Sequence, residues 1–585
     1  MPRSAAQIDP ASLVNDAGRK RALENLTILV RCSEQAETRR KADLLLGRGL
    51  KAWKRGDYPK AAKFALKAVK EDETFARGFH LLAMAMERMG HLHKALAMYE
   101  RAFALDPHDS DLILDLGLSA MNQKMLDWAE KMFRLYIEAR PDSPLGYNNL
   151  GGLLCKSGRV SEGIETLRAA IFRMPEHAIL WNTLATSLAE DGRCEESLVF
   201  YQEGIRLDPK FPRAWHNLGY AYSHLGRLEE AMDCYEKALS HAATEAERIE
   251  TRHSRSLCLI GMGRIAEGFR EYEIRNHPHF RDHVHYMTKA PRWDGEPLKG
   301  KRLLAISEQG LGDEIMFASV LPDLAQAVGE TGKLEIAVDR RLIGLFQRSF
   351  PQAIVGTYAD RKLTDKEGNT RELRFVPWAT ESGDPDYYVP VGSALKHFRN
   401  AIEDFPKTAF LVPDPARVAQ YRQILQSFGT SLCIGICWRS MLLAGKRHKY
   451  YSALDLWGPI LKTPDVTFVN LQYGDCAEEL QRAVARHGVD IKIIEGLDLK
   501  DDIDGAAALS AALDLVISAP TAAAATAASV GTPVWFLTAG RTWPQLGTGY
   551  FPWYRESRVF CPEKFGDWNT VIPRVAEALG QLPKV

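Results

Sequence analysis

The chain lacks any apolar run of the roughly 18 residues needed to cross a bilayer; even the alanine-rich stretch 506–530 is interrupted by Asp514 and Pro520. Its start is charged and has no apolar secretory region, and its nine cysteines, at 32, 155, 194, 234, 258, 433, 437, 476 and 561, are scattered, odd in number and without metal-ligand spacing. A disulfide scaffold and a cysteine metal site are therefore not expected, and the chain reads as a reduced, cytoplasmic protein without membrane insertion. Neither sign of charge is in excess, since Lys plus Arg and Asp plus Glu both number 75. Nothing in that balance recommends nucleic acid or an anionic membrane as a partner. At 585 residues the chain exceeds one core and has room for about three or four domains.

What is present is a 34-residue beat. Pro107, Pro141, Pro175 and Pro209 fall at that interval, as do the small residues Gly117, Gly151, Ala185 and Gly219. Proline stops the second helix of each unit, because it has no amide proton and restricts the residue before it. Gly90, Gly158, Gly192 and Gly226 mark the turn inside each unit, and residues 211–243 hold Trp215, Leu218, Gly219, Tyr222, Gly226, Ala231, Tyr235 and Ala238 at the favoured positions. The pattern resembles the tetratricopeptide repeat. Five clear units span residues 75–243, with degenerate ones at 42–74 and 249–276. Such repeats stack into a solenoid whose concave face usually grips a polypeptide. Tyr99, Phe133, Tyr201 and Tyr235 are expected in its core. Asn148, Asn149, Asn182 and Asn217 recur on the first helices, and a carboxamide can pair with any peptide backbone. They are therefore candidates for a groove that holds an extended peptide of a partner protein, the alternative being a solvated face or bonds among the repeats themselves.

After Tyr272 the beat stops. The expected organisation is an N-terminal helical segment (1–40), the solenoid (41–276), a linker rich in His, Pro, Arg and Asp (277–300), and two α/β lobes (301–410 and 411–585). Short apolar runs at 303–307, 433–438, 466–471, 491–494, 515–518 and 534–537 alternate with helical stretches such as 314–328. That alternation predicts parallel sheets, whose ligands collect at the carboxyl ends of the strands. Three loops at such ends carry chemistry. The first holds Glu308, Gln309, Gly310, Gly312 and Asp313, with Asp313 able either to cap a helix or to face a substrate. The second holds Arg439, Ser440, Lys446, Arg447, His448 and Lys449, an anion site or an ordinary basic loop. The third, Ala519-Pro520-Thr521, opens a helix of small residues, suited to phosphate or to tight packing.

The segments Pro291 to Glu296, Glu308 to Asp313, Phe468 to Gln472, Asp514 to Ser518 and Gly531 to Trp535, in that order, resemble bacterial tetratricopeptide proteins carrying a heptosyltransferase-like glycosyltransferase module. The resemblance implies a GT-B fold of two Rossmann-like lobes. The first would handle the acceptor and the second the nucleotide sugar, and a closing helix at 569–582 would tie them together. It implies Asp313 as general base, on the match of Gly312, Asp313 and Pro322, with Arg439, Ser440, Lys446, Arg447, Lys449, Gln472 and Thr521 around the donor and no metal or other cofactor. The D-x-D sequences at 109–111 and 502–504 read as a repeat turn and an acidic loop.

At the third loop the family's Asp-Thr-Gly and nearby histidine become Pro520-Thr521-Ala522 and Ala525, which argues against an ADP-heptose donor. With Thr542-Trp543 and Pro552-Trp553-Tyr554, the chain instead resembles the flagellin O-glycosyltransferases. That implies a CMP-linked nonulosonic acid of pseudaminic or legionaminic type, placed on Ser or Thr of flagellin held by the repeats. The competing expectations are a catalytically silent adaptor and a UDP-sugar enzyme like O-GlcNAc transferase.

Overall fold

The computed structural model describes residues 16–308, 310–364, 370–381, 383–441 and 449–583. The chain forms two compact units, residues 1–157 with 363–370, and residues 158–362 with 371–585.

In the first unit a long helix, Asp16–Lys54, packs on Tyr58–Glu71, followed by the pairs Ala76–Arg88 with Leu92–Leu105 and Ser110–Asn122 with Leu126–Ala139, and then Pro144–Lys156. The period has steric causes. A Cβ on Gly117 would lie 2.7 Å from the Phe133 ring, so the small position admits the aromatic of the second helix. Phe133 and Tyr99 are buried, as expected. Gly56 and Gly90 adopt positive φ at the turns inside their units, and at the equivalent position of the next unit Lys124 does so with φ 62°. Glycine occupies that region without the Cβ conflict a lysine carries. Lys124→Gly should therefore stabilise this unit by about 1 kcal/mol or somewhat less, read as a higher midpoint in denaturant unfolding; a lower midpoint would refute the strain.

The second unit begins with Val160–Arg173 and continues through the pairs Ala178–Glu190 with Cys194–Leu207, Pro212–His224 with Leu228–His241, and Glu245–Gly261 with Ile265–Tyr272. Here the coincidence of Pro and Trp periods is explained by hydrogen bonding. The Trp181 indole donates to the Pro175 carbonyl at 2.7 Å and Trp215 to that of Pro209 at 2.9 Å. Tyr201 and Tyr235 are buried.

The helices lead into two α/β lobes. The first has four parallel strands in the order Ile354–Thr357, Lys333–Val338, Arg302–Ile306, Tyr387–Pro390. The second has six, in the order Ile491–Lys492, Val466–Asn470, Leu432–Cys437, Leu515–Ser518, Val534–Leu537, Ser557–Phe560, again all parallel. Both orders run outward from the first strand and then reverse, the doubly wound arrangement. In the second lobe Ile434, Ile436, Leu515 and Ile517 face one core while Cys433, Cys437 and Val516 face another, so both sides of the sheet are covered, as a parallel sheet requires.

Several expectations change. The helix expected over 314–328 is two, Leu311–Phe317 and Leu321–Val328, separated by the 3-10 turn Ala318–Val320, because Pro322 cannot continue the helical hydrogen-bond ladder. The stretch 277–300 is built into the first lobe: Val284–Tyr286 pairs with Thr370–Phe375, Trp293 is buried, and its amide donates to the Tyr388 carbonyl at 2.8 Å. The helix Trp568–Gly580, expected to tie the lobes together, buries Val571, Ile572 and Val575 against Trp457 and Ile460 in the second lobe's own core. The lobes meet instead where Leu311–Phe317 packs on Ala522–Ser529. Beside that contact the fully buried Trp553 has ring neighbours from three parts of the chain: Phe405 at 4.9 Å, Phe317 at 5.9 Å and Phe269 of the last solenoid helix at 6.2 Å. One continuous core thus runs from Ile260, Phe269 and Tyr272 of the solenoid into both lobes.

Candidate functional site

The strand order reverses between Arg302–Ile306 and Tyr387–Pro390 in the first lobe and between Leu432–Cys437 and Leu515–Ser518 in the second. Chain ends splay apart at such a reversal and leave a crevice beyond the carboxyl ends of the strands. A cavity of about 450 Å³ lies there, with Gly310, Gly312 and Asp313 on one wall and Ser440, Thr521 and Ala522 on the other.

Local chemistry explains each wall. Gly310 is the N-cap of Leu311–Phe317 and its carbonyl accepts from the Asp313 amide at 2.9 Å, so Asp313 lies in the first turn and is not the capping residue. A Cβ on Gly312 would sit 3.5 Å from Ala522, and this bare glycine lets the two helix starts approach. Across the cavity Thr521 caps Ala522–Ser529 through the Ala524 amide. The N-terminal dipole of that eight-residue helix favours an anion. Tyr554, buried beside this wall, has its phenol pushed up by burial and by the Asp313 carboxylate.

The other expected site residues divide. Glu308 is buried and its Oε1 accepts from Arg275 at 2.5 Å; it holds the end of the solenoid to the first lobe. Arg439 is also buried, its guanidinium paired with Glu479 and donating to the Asp475 carbonyl at 2.8 Å. Gln472 commits its carboxamide to the chain, accepting from the Trp438 and Arg439 amides at 3.2 and 3.0 Å and donating to the Tyr473 carbonyl at 3.1 Å. Lys449 donates to the Ala189 carbonyl at 2.6 Å, near the end of the solenoid helix Ala178–Glu190. Arg439, Gln472 and Lys449 are thus absent from the cavity lining, whereas Ser440 and Thr521 are part of it. Gln309, Lys446, Arg447 and His448 lie outside the described residues.

The asparagines also divide. The Asn217 carboxamide donates to Asn182 Oδ1 at 3.1 Å and to Thr186 Oγ1 at 3.3 Å, and Asn182 is buried. This bond joins the first helices of neighbouring units, as does His216 with Thr251 at 3.1 Å. In the first unit His80 and Asp115, 35 positions apart, are joined in the same way at 2.8 Å. Asn182 and Asn217 therefore form a rung between repeats. Asn148 and Asn149 stand half-exposed on Pro144–Lys156.

Arg341, Tyr451, Tyr473, Lys500 and Tyr554 line the cavity as well. Arg341 is neutralised by Asp339 at 2.9 Å, while Lys500 is exposed. Tyr554 belongs to the Pro552-Trp553-Tyr554 segment singled out above, whereas the other four lie in no motif and only the fold brings them to the strand ends. Directly behind Asp313, Glu314 is buried; its carboxylate accepts from the Tyr358 hydroxyl and, at 3.0 Å, from the Asp339 amide. Burial pushes its carboxyl up to about 7 against the opposing effect of those bonds. A group whose folded value exceeds its unfolded one binds its proton more tightly when folded, so its contribution to stability declines as pH rises from about 4.5 to about 7. Glu314→Gln mimics the protonated form, accepting from Asp339 and donating to Tyr358. Relative to wild type it should gain on the order of a few kcal/mol between pH 5 and pH 8; a constant difference in denaturant unfolding across that range would refute this.

Among the described residues no His, Cys, Asp and Glu side chains gather as a metal-holding group of three or more, and no helix is long and apolar enough to cross a membrane. Comparison with known proteins identifies tetratricopeptide repeats over residues 88–148, 186–226 and 212–244, and such repeats imply binding of a protein partner. Among solved structures, YrrB, described as a TPR protein with an unusual peptide-binding site, is 21% identical, with 33% of this chain and 98% of that chain covered and a TM-score of 0.24. A thermophilic TPR protein of Thermus thermophilus is 20% identical over 31% and 98% of the two chains, with a TM-score of 0.28. Protein FlbA of Caulobacter vibrioides is 40% identical over 576 residues, 98% of this chain and 96% of that protein. On that near full-length match, the chain belongs to the same family as Protein FlbA.

Proposed function

We propose that the chain is a protein O-glycosyltransferase with a GT-B module, transferring a nonulosonic sugar from a CMP donor to Ser or Thr of flagellin bound through the repeats. The observation that carries this reading is the meeting of two strand-order reversals across one cavity, a carboxylate (Asp313) on one wall and the start of Ala522–Ser529 on the other. A two-substrate transfer needs both: a base where the acceptor hydroxyl arrives, and a positive helix end where the leaving phosphate collects charge. The repeats supply a reason for a protein acceptor, and the name of the FlbA relative hints at a flagellar role.

In the proposed reaction Asp313 takes the hydroxyl proton of Ser or Thr. The oxygen forms its bond to the anomeric carbon as the bond from that carbon to the phosphate oxygen breaks, and CMP leaves with the electron pair. Ser440, Lys500 and the amides at the start of Ala522–Ser529 would meet the leaving phosphate. A thermal-shift panel tests the donor. CMP should raise Tm more than UDP or ADP; a preference for UDP would favour the O-GlcNAc-transferase-like alternative, and no shift with any nucleotide would overturn the transferase reading.

A silent scaffold is the second reading. It is favoured by the commitment of Arg439 to Glu479 and of Lys449 to the solenoid, which takes two expected donor cations out of the cavity.

A further inference from the structure

Asp313 borders two spaces. Besides the first cavity it lines a second chamber of about 510 Å³, whose walls include His253 and Tyr272 of the last solenoid pair, Glu372 of the first lobe and Trp543 of the second. The solenoid here is part of the wall around the reacting carboxylate.

The two spaces differ in charge. The first has a helix N-terminus and the exposed Lys500, its Arg341 being paired with Asp339. The second holds two arginines, but Arg275 gives its terminal nitrogens to Glu308, Glu273, Ser393 and the Tyr272 carbonyl. Arg374 is clamped bidentately by Asp360 at 2.7 and 2.8 Å and donates to the Ser307 carbonyl. What remains toward the chamber is acidic: the exposed Asp282 and the half-buried Glu372, 3.8 Å from the already saturated Arg374. Its apolar surface is aromatic, with Phe280 4.8 Å from the His253 ring and Trp543 6.5 Å from Tyr272. An anionic nucleotide sugar is repelled from such a space, whereas an extended polypeptide with neutral or basic neighbours suits it.

We infer that this chamber is the acceptor subsite, taking a non-acidic polypeptide segment and presenting its Ser or Thr hydroxyl to Asp313, which also lines the donor cavity. The inference rests on the transferase reading for the reaction, but not for the binding. The last solenoid helices then select the acceptor at the reacting atom as well as holding it at a distance.

The test uses the full chain and purified flagellin without nucleotide, followed by hydrogen exchange. Slowed exchange is expected in residues 253–257 and 280–286, and Asp282→Arg, at an exposed position, should abolish it. In transfer assays Asp282→Arg and Phe280→Ala should raise the KM for flagellin at least about tenfold while the CMP-dependent rise in Tm stays as in wild type. Protection confined to other repeats, with KM unchanged in both variants, would overturn the chamber and leave the transferase standing. Protection at the chamber with no transfer by wild type would support the chamber and overturn the transferase.

Discussion

Asp313→Asn is expected to lower transfer to flagellin by about two to four orders of magnitude, the range that loss of a positioned general base produces. The substitution is nearly isosteric. The bond from the residue 313 amide to the Gly310 carbonyl is a backbone bond, which the substitution keeps. What is lost is the ability to accept a proton. The measurement is intact mass of flagellin coexpressed in a host that makes CMP-nonulosonic acids. A sugar-sized increase with wild type and none with the variant ties transfer to this residue. Equal modification would remove Asp313 as base, and unmodified flagellin with wild type would favour the scaffold reading. Nucleotide-dependent stabilisation should survive the substitution, because the proposed phosphate contacts come from the opposite wall.

The solenoid was legible because its period is local. Proline, glycine and tryptophan recur at fixed intervals, and each has a nearby cause, such as the Trp215 bond to the Pro209 carbonyl or the clearance between Gly219 and Tyr235, where a Cβ would lie 2.8 Å from the ring. The strands at 433–438 and 515–518 were legible as apolar runs. Lys333–Val338 and Tyr387–Pro390 were missed, being a run broken by a glutamate and a short strand ending in proline. At the site, the glycines, Asp313 and Thr521 were found because helix starts have local signals. The functions expected of Arg439, Gln472 and Lys449 depended on long-range partners, and Glu479, the Trp438 amide and the Ala189 carbonyl claim them. Residue type can announce a cation; only the fold shows which carboxylate neutralises it. The same holds for Asn182 and Asn217, whose recurrence reflects the bond between repeats.

The boundary expected at residue 276 is where the structure departs most from the sequence reading, and it yields the second large prediction. Arg275 is buried, and its pairing with Glu308 at 2.5 Å and Glu273 at 3.0 Å joins the last solenoid turn to the end of the first strand of the first lobe. Burial disfavours the charged guanidinium, but Glu308, Tyr272 and Glu273 together more than offset that and hold the group above its ordinary range. There is no slack in this packing: a Cβ on Gly392 would collide with Glu308 Oε1. Removing one member strands a buried charge, and the cost of breaking such a pair is about 3–5 kcal/mol. Arg275→Met should therefore destabilise the unit comprising residues 158–362 and 371–585 by that amount and lower the unfolding midpoint accordingly. The double variant Arg275→Met with Glu308→Gln removes the stranded carboxylate and should recover part of the loss, because the penalty of a broken pair lies mainly in the partner left behind. Glu308→Gln alone should cost less than Arg275→Met, since Glu273 still faces the guanidinium. If the two single effects simply add in the double variant, the pair does not couple the solenoid to the lobe. Coupling, by contrast, would mean that a cut at residue 275 removes Phe269, Tyr272 and Arg275 from the core, so a lobe fragment starting there would lose its fold together with its acceptor, and only point variants in the full chain can separate docking from chemistry.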